Sequence, residues 1–95
     1  MATVQLNNTI TTTPTRIVQL PNSLPYTAVQ VANGHSSAIY LGGNSSVTAT
    51  GANHGQTLGA NSNVQIWLRG GDSLWAVTST GSTGTGDVSV IYSGI

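Results

Sequence analysis

The side chains that could carry acid–base chemistry in this sequence are two aspartates, Asp72 and Asp87, and two histidines, His35 and His54. General acid–base catalysis needs two titratable groups, each within hydrogen-bond reach of the proton that it transfers. Each aspartate follows a glycine at the start of a candidate strand, where a carboxylate commonly caps a turn. Both histidines lie in Asn- and Gly-rich segments that are typical of loops. We therefore expect no catalytic residue, and a hydrolase that uses His35 or His54 is the weakest alternative.

Metal and cofactor sites are expected to be absent for similar reasons. The chain has no cysteine, and the two histidines have no further ligand at a zinc-site spacing. Calcium needs several clustered carboxylates, whereas only two aspartates are present, fifteen positions apart. The segment Gly81 to Gly86 lacks the glycine order of a dinucleotide fingerprint and the lysine of a P-loop, so we interpret it as a turn.

Charge is the most unusual property of the composition. Only 4% of the residues are charged and the net charge is zero, whereas an ordinary soluble domain has about 25% charged residues. Two arginines and no lysine cannot neutralise a phosphate backbone, so nucleic-acid binding is not expected. No apolar run approaches the roughly 18 residues that cross a bilayer, and the first ten residues lack the pattern of a secretory signal. We expect no membrane partner.

The composition favours strands over helices. Thr, Gly, Ser and Asn fill 45 of the 95 positions, and these residues stabilise helices poorly. Alternation of apolar and polar residues predicts about eight short strands separated by turn residues, which indicates one small antiparallel β-sandwich or jelly-roll-like domain. The predicted strands are Thr3 to Leu6, Arg16 to Leu20, Thr27 to Ala32, Ala38 to Leu41, Val47 to Thr50, Val64 to Leu68, Leu74 to Thr78 and Val88 to Tyr92.

Two hairpins are predicted from turn chemistry. A two-residue primed turn at Gly70-Gly71 would place Arg69 opposite Asp72. The same register would pair Ile66 with Trp75 and Val64 with Val77 on the core face, and Trp67 with Leu74 on the other face. A large aromatic beside a leucine on the solvent side is a candidate contact surface.

The second hairpin is predicted at Asn33-Gly34, with a loop of three or five residues. That loop length brings Val29, Val31, Ile39 and Leu41 to one face and leaves His35 at the tip. At the C-terminus, the alternation places Val88, Val90 and Tyr92 on one face of a strand well inside a sheet.

Residues 1–15 are interpreted as the first strand of the sandwich or as an arm, with residues 16–95 forming the domain. An arm that leaves the domain could add a strand to the sheet edge of a partner. Trp67 is the unusual aromatic, because it alternates with Gln65 and Arg69. The candidate protein-interface residues are therefore Thr3, Val4, Gln5, Leu6, Trp67 and Leu74.

Three segments resemble the small β-rich accessory virion proteins of tailed bacteriophages. They are Ile39-Tyr40-Leu41-Gly42-Gly43-Asn44, Leu68-Arg69-Gly70-Gly71-Asp72-Ser73-Leu74-Trp75-Ala76-Val77 and Gly86-Asp87-Val88-Ser89-Val90. Gly70 stands where that group usually has proline. The resemblance implies a capsid decoration or minor head protein, or a tail or baseplate component. It further implies trimers over capsid three-fold positions, with an N-terminal arm on the major capsid protein.

Together these observations predict a non-enzymatic structural virion protein. The expected role is a capsid decoration (cement) protein on the outside of a bacteriophage head, in contact with the major capsid protein and with other copies of itself. A neutral surface agrees with this, because little electrostatic repulsion keeps the copies apart. The alternative is a carbohydrate- or receptor-binding module of a phage tail or baseplate, in which Trp67 and loop asparagines hold a glycan.

Overall fold

Eight strands form two four-stranded antiparallel sheets in the computed structural model, which describes residues 3–49, 55–79 and 84–93. The strands are β1 (Thr3–Thr9), β2 (Thr15–Gln19), β3 (Thr27–Asn33), β4 (Ile39–Gly42), β5 (Gln56–Leu58), β6 (Asn63–Leu68), β7 (Ser73–Val77) and β8 (Asp87–Ser93). Sheet I has the order β1-β8-β3-β6, and sheet II has the order β2-β7-β4-β5. No helix occurs in the described residues.

This strand order is that of an eight-stranded jelly roll. Among the described strands, only β4 and β5 are both consecutive in the chain and paired with each other. Every other pair of consecutive strands is divided between the two sheets. The predicted all-β sandwich of about eight short strands is confirmed.

The core lies between the sheets and is built from the alternate residues of each strand. Val29 and Val31 of β3 face it beside Val88 and Val90 of β8, and all four are fully buried. Sheet II contributes the buried side chains of Ile17, Val18, Ile39, Leu41, Leu58, Leu74 and Ala76. The prediction that Val88, Val90 and Tyr92 share a buried face is confirmed, and β8 lies between β1 and β3.

The hairpin predicted at Gly70-Gly71 is wrong. β6 pairs with β3 in sheet I, while β7 pairs with β2 and β4 in sheet II, so the turn connects the two sheets. Gly71 has a φ of +90° and Gly70 has no positive φ, which is the pattern of a type II turn, whereas a primed turn needs a positive φ at its first central residue. Type II turns splay the flanking strands, and primed turns hold them in one hairpin.

Arg69 and Asp72 do meet across this turn. The Asp72 backbone N–H donates to the Arg69 carbonyl oxygen at 3.0 Å, and the Asp72 carboxylate accepts the Arg69 backbone N–H at 2.9 Å. Because the strands diverge, Ile66 does not pair with Trp75, nor Val64 with Val77, nor Trp67 with Leu74. Ile66 lies opposite Val29 and Trp67 lies opposite Ala28.

The hairpin predicted at Asn33-Gly34 is also wrong, because β3 belongs to sheet I and β4 to sheet II. The apolar residues assigned to one face, Val29, Val31, Ile39 and Leu41, do share the core, but they enter it from opposite sheets. His35 is only 2% exposed rather than at an open loop tip.

The buried side chain of Asn33 holds this crossing together. Its Nδ2 group donates to the carbonyl oxygens of Ser37, Leu58 and Gly59 at 3.0–3.1 Å, and its Oδ1 accepts the His35 N–H at 2.9 Å. One amide therefore joins the end of β3, the segment before β4 and the segment after β5. Backbone groups that lose contact with water on folding need hydrogen-bond partners inside the protein, and the Asn33 amide supplies them.

The strand predicted at Val47 to Thr50 is not formed in the described part of that segment, and Thr50 lies outside it. An Asx turn forms instead, in which the Ser46 N–H donates to Asn44 Oδ1 at 2.8 Å and the Val47 N–H donates to the Asn44 carbonyl at 3.3 Å. The buried Val47 side chain fits against the Cα positions of Gly42 and Gly55, where a Cβ would overlap it. The fifth strand is β5, which the alternation did not reveal.

Replacing the Asn33 amide should destabilise the fold severely. In Asn33→Leu, the Ser37 and Leu58 carbonyl oxygens and the His35 N–H lose their bond to the Asn33 amide, while the Gly59 carbonyl keeps the Ser62 N–H. Each buried group left unpaired costs about 1–3 kcal/mol. We expect the free energy of unfolding, measured by urea titration, to fall by about 3 kcal/mol or more. The control Asn63→Ala, at an exposed position on β6, should change it by less than about 0.5 kcal/mol. Equal effects would contradict this assignment.

The turn between the sheets should tolerate alanine poorly at Gly71 and well at Gly43. Gly71 has a positive φ, and a Cβ there would lie 2.5 Å from Asn22 Oδ1, whereas a Cβ at Gly43 meets nothing within 4 Å. Strained backbone conformations cost about 1–3 kcal/mol. Thermal unfolding should therefore show a clear loss of stability for Gly71→Ala and none for Gly43→Ala. Two unchanged melting curves would argue against the type II turn.

Candidate functional site

The outer face of sheet I is the candidate functional surface. On β1, residues Val4, Leu6 and Asn8 lie opposite core-facing residues of β8, so the odd-numbered residues of β1 point outward. The register continues this face across the sheet in two rows. One row is Gln5, Ile91, Gln30 and Gln65, and the next is Asn7, Ser89, Ala32 and Asn63. We call the outward residues of sheet I, together with Tyr26, the amide face.

An aromatic pair lies at one corner of the amide face. The rings of Tyr26 and Trp67 stack with centroids 5.2 Å apart and planes inclined by 25°. The residue directly opposite Trp67 is Ala28, and its small side chain leaves room for the diagonal contact between the two rings. Tyr26 is 61% exposed and Trp67 is 52% exposed. Two large exposed aromatics side by side are typical of a contact site.

A shallow depression adjoins this aromatic pair. It has a volume of about 270 Å³ and is lined by Leu24, Pro25, Tyr26, Thr27, Ala28 and Ser93. Thr27 Oγ1 donates to the Pro25 carbonyl at 2.7 Å, which fixes the segment before β3. The exposed edge of Tyr26 is thus held next to a concave surface.

The two rows of the amide face carry no ionisable side chain. Asp87 lies at one end of β8, where its carboxylate accepts a hydrogen bond from Thr9 Oγ1 at 3.0 Å. Side-chain amides both donate and accept hydrogen bonds, so the rows can bind backbone amides or hydroxyl groups without a charge partner. Ile91, which is 41% exposed, supplies the apolar part of the first row.

The predicted interface residues are divided by the structure. Thr3, Gln5 and Trp67 belong to the amide face, with Thr3 and Gln5 at one edge of the sheet and Trp67 at the other. Val4 and Leu6 point to the core side of β1, although Leu6 remains 36% exposed. Leu74 is a core residue of sheet II with 6% exposure. The predicted pairing of Trp67 with Leu74 in one contact surface is therefore wrong.

Sequence reasoning missed Tyr26, Ile91, Gln30 and Gln65 as members of this surface. Gln30 alternates with the buried Val29 and Val31, and Gln65 alternates with the partly buried Val64 and Ile66, so the outward direction of both glutamines could be predicted. Their alignment in one row depends on the pairing of β6 with β3 and of β3 with β8. Tyr26 precedes β3, and its contact with Trp67 spans the same long-range pairing.

The described residues were compared for clusters of metal-ligating side chains. No group of three or more His, Cys, Asp or Glu side chains occurs among the described residues. The buried His35 ring accepts the Ser37 N–H through Nδ1 at 3.0 Å, which gives it a structural contact. His54 lies outside the described residues, as do residues 81–83 of the predicted glycine-rich turn.

A larger open cleft of about 510 Å³ is lined by hydroxyl-bearing and small residues. They are Thr12, Pro14, Ser45, Ser46, Val47, Thr48, Ala49, Val77, Thr78 and Ser79, and none of them titrates near neutral pH. These lining residues bring no general acid or base to the cleft.

Comparisons with protein-family models, with curated proteins and with solved structures found no match to this chain. A search of the described residues for a helix of bilayer-spanning length and hydropathy found none.

Leu74 and Trp67, two of the predicted interface residues, should differ sharply in their contribution to the free energy of unfolding. Leu74→Ala removes a core side chain and should lower the free energy of unfolding by about 2–5 kcal/mol. Trp67→Ala removes a half-exposed ring and its stack with Tyr26, and should cost only about 1 kcal/mol. Urea titrations of both variants check this. A larger loss for Trp67→Ala would place Trp67 in the core.

Proposed function

We propose that the chain is a non-enzymatic structural virion protein that decorates the outside of a bacteriophage head. It would bind the major capsid protein and stabilise contacts between capsomers through the amide face. The observation that carries this proposal is the exposed amide face, with its two uncharged rows and its stacked Tyr26–Trp67 pair. The resemblance of the Ile39–Asn44, Leu68–Val77 and Gly86–Val90 segments to phage accessory virion proteins supports a virion location. The jelly roll is also a fold used by viral capsid proteins.

The physical basis of such binding is adhesion without charge. Covering the exposed parts of Tyr26 and Trp67 would contribute about 1–2 kcal/mol for each ring. The glutamine and asparagine rows would exchange hydrogen bonds with the partner surface. Any ligand that binds only the assembled shell raises the cost of its disassembly by mass action. Many weakly bound copies on one shell can therefore stabilise it together.

Shell binding should depend on the aromatic pair and be insensitive to salt. We expect Tyr26→Ala/Trp67→Ala to weaken binding to undecorated shells of the encoding phage by about 30- to 700-fold, because the two rings together contribute about 2–4 kcal/mol and each 1.4 kcal/mol is a tenfold change. Raising NaCl from about 0.05 to 0.5 M should change the affinity less than about threefold, since screening acts mainly on exposed charges. Co-sedimentation with shells measures both effects.

A matched control for this experiment is Thr57→Ala, which changes an exposed residue of β5 in sheet II. It should bind shells as the wild type does. Failure of the wild-type protein to bind shells would refute the proposed role, as would equal binding by the double aromatic variant.

A second candidate function is a carbohydrate- or receptor-binding module of a phage tail or baseplate. The specific observation in its favour is the Tyr26–Trp67 platform beside a depression and next to neutral amide side chains. Aromatic faces can pack against the C–H faces of a sugar, and amides can bind its hydroxyl groups. Jelly rolls also occur in lectins. Saturable glycan-array binding that is lost in Trp67→Ala, without shell binding, would favour this function over decoration.

A further inference from the structure

The edge strands of the two sheets differ in how well they are protected. In sheet II, β5 has only three residues, and β2 contains Arg16 and a register shift between Arg16 and Val18. Short strands, bulges and charges are the usual devices that prevent edge-to-edge pairing. In sheet I, the edge strands β1 and β6 have seven and six residues, with unbroken registers and no charged residue or proline. Both edges of sheet I are therefore open to pairing.

Two hydrogen bonds establish which backbone groups of β6 and β8 point toward β3. The Asn33 N–H donates to the Ser62 carbonyl at 2.8 Å, and the Gly34 N–H donates to the Asp87 carbonyl at 3.1 Å. Hydrogen-bonded and non-hydrogen-bonded pairs alternate along an antiparallel ladder. The even-numbered residues of β6 therefore direct their backbone groups to β3, as do the odd-numbered residues of β8.

The same alternation identifies the unpaired groups at both edges. The even-numbered residues of β8 bond to Val4, Leu6 and Asn8, which lie opposite them. The free N–H and C=O groups of β1 then belong to Gln5, Asn7 and Thr9, and those of β6 belong to Asn63, Gln65 and Trp67. These two sets have the same spacing.

The two edges match in direction and in register. Strands alternate in direction across sheet I, so β6 of one copy would lie antiparallel to β1 of the next copy if the sheet continued. The register that uses all six residues of β6 places Trp67 opposite Gln5, Gln65 opposite Asn7 and Asn63 opposite Thr9 of that copy. Each of these is a pair in which both residues have free backbone groups.

Side chains at the two edges match as well. In this register Ile66 lies opposite Leu6 of the next copy, and Leu68 lies opposite its Val4, on the core side of the sheet. None of these four side chains is fully buried within one copy. On the outer side, the amide rows continue from one copy to the next. Pairing β1 with a second β1 would leave Ile66 and Leu68 of β6 without a partner strand beside them.

We propose that copies of this chain associate head to tail, with β6 of one copy pairing along β1 of the next to form a continuous sheet. Because neither strand is charged and the net charge is zero, no repulsion opposes the contact. Head-to-tail contacts produce rings where the rotation closes and filaments where it does not. This inference deepens the proposed structural role, since it names the surface by which neighbouring copies would join.

Engineered cysteines test the pairing, because the wild-type chain has none. In Asn7→Cys/Gln65→Cys, the two thiols of one copy lie on opposite edge strands whose axes are roughly 14 Å apart, at about 4.8 Å per strand. That distance is too long for a disulfide, whereas facing residues of a hydrogen-bonded antiparallel pair are about 5.5 Å apart. We expect disulfide-linked multimers on non-reducing gels after mild oxidation.

Three controls belong to this experiment. Asn7→Cys alone and Gln65→Cys alone test pairing of like edges, and Asn7→Cys/Gln30→Cys places the second thiol on the same face of the central strand β3. All three should run largely as unlinked single chains on the non-reducing gel. Equal linking in any control, or no linking in the Asn7/Gln65 pair, would overturn the proposal.

A second measurement does not depend on oxidation. Like charges opposite each other destabilise strand pairs, so Asn7→Lys/Gln65→Lys should raise the dissociation constant for self-association at least tenfold in sedimentation equilibrium. The control Gln30→Lys/Ala32→Lys adds the same charge on β3, away from the edges, and should have a clearly smaller effect. A wild-type protein that stays monomeric at about 1 mM would contradict the proposed head-to-tail pairing. Shell binding by that monomer would leave the proposed function intact, so the two failures can be told apart.

Discussion

The hydrogen bonds of the Asn33 side chain are the interaction on which the two-sheet arrangement depends. Asn33 ends β3, and from this position its amide binds the Ser37, Leu58 and Gly59 carbonyl oxygens and the His35 N–H. The chain leaves sheet I for sheet II directly after Asn33, and it approaches sheet I again near Gly59. A backbone that turns inside the protein must pair its polar groups without water. One buried amide meets that requirement for several segments at once, and it does so without a charge.

The rest of the fold follows the same pattern of repeated crossing between sheets. The type II turn at Gly71 directs β7 away from β6, and the segment after Asn33 directs β4 away from β3. Each crossing lets consecutive strands place their apolar residues on opposite walls of one core. The stability of the sandwich therefore comes from apolar burial and backbone pairing, and the four charged residues lie at or near the surface. A domain built in this way can present a wide neutral surface.

The neutral surface connects the fold to the proposed role. The outward residues of sheet I are mostly amides and hydroxyls, with apolar contact area concentrated at Tyr26, Trp67 and Ile91. Removing such a surface from water costs less free energy than removing a charged one. Its hydrogen-bonding groups can bind backbone amides or hydroxyl groups of a partner. The open edges of the same sheet bring the same chemistry to contacts between copies. Adhesion to a shell and adhesion between copies would then use one sheet, through its face and through its edges.

The sequence by itself determined the fold class, most strand positions and the residues that face the core. Alternation is a local property, so the buried faces of β3, β4 and β8 could be predicted from Val29, Ile39 and Val88 and their neighbours. Tertiary structure alone decided which strands pair, because a glycine turn such as Gly70-Gly71 accepts either sign of φ and the partner of a strand is chosen by burial across the whole domain. That choice placed Leu74 in the core, left Trp67 on the surface beside Tyr26, and aligned Gln30 with Gln65.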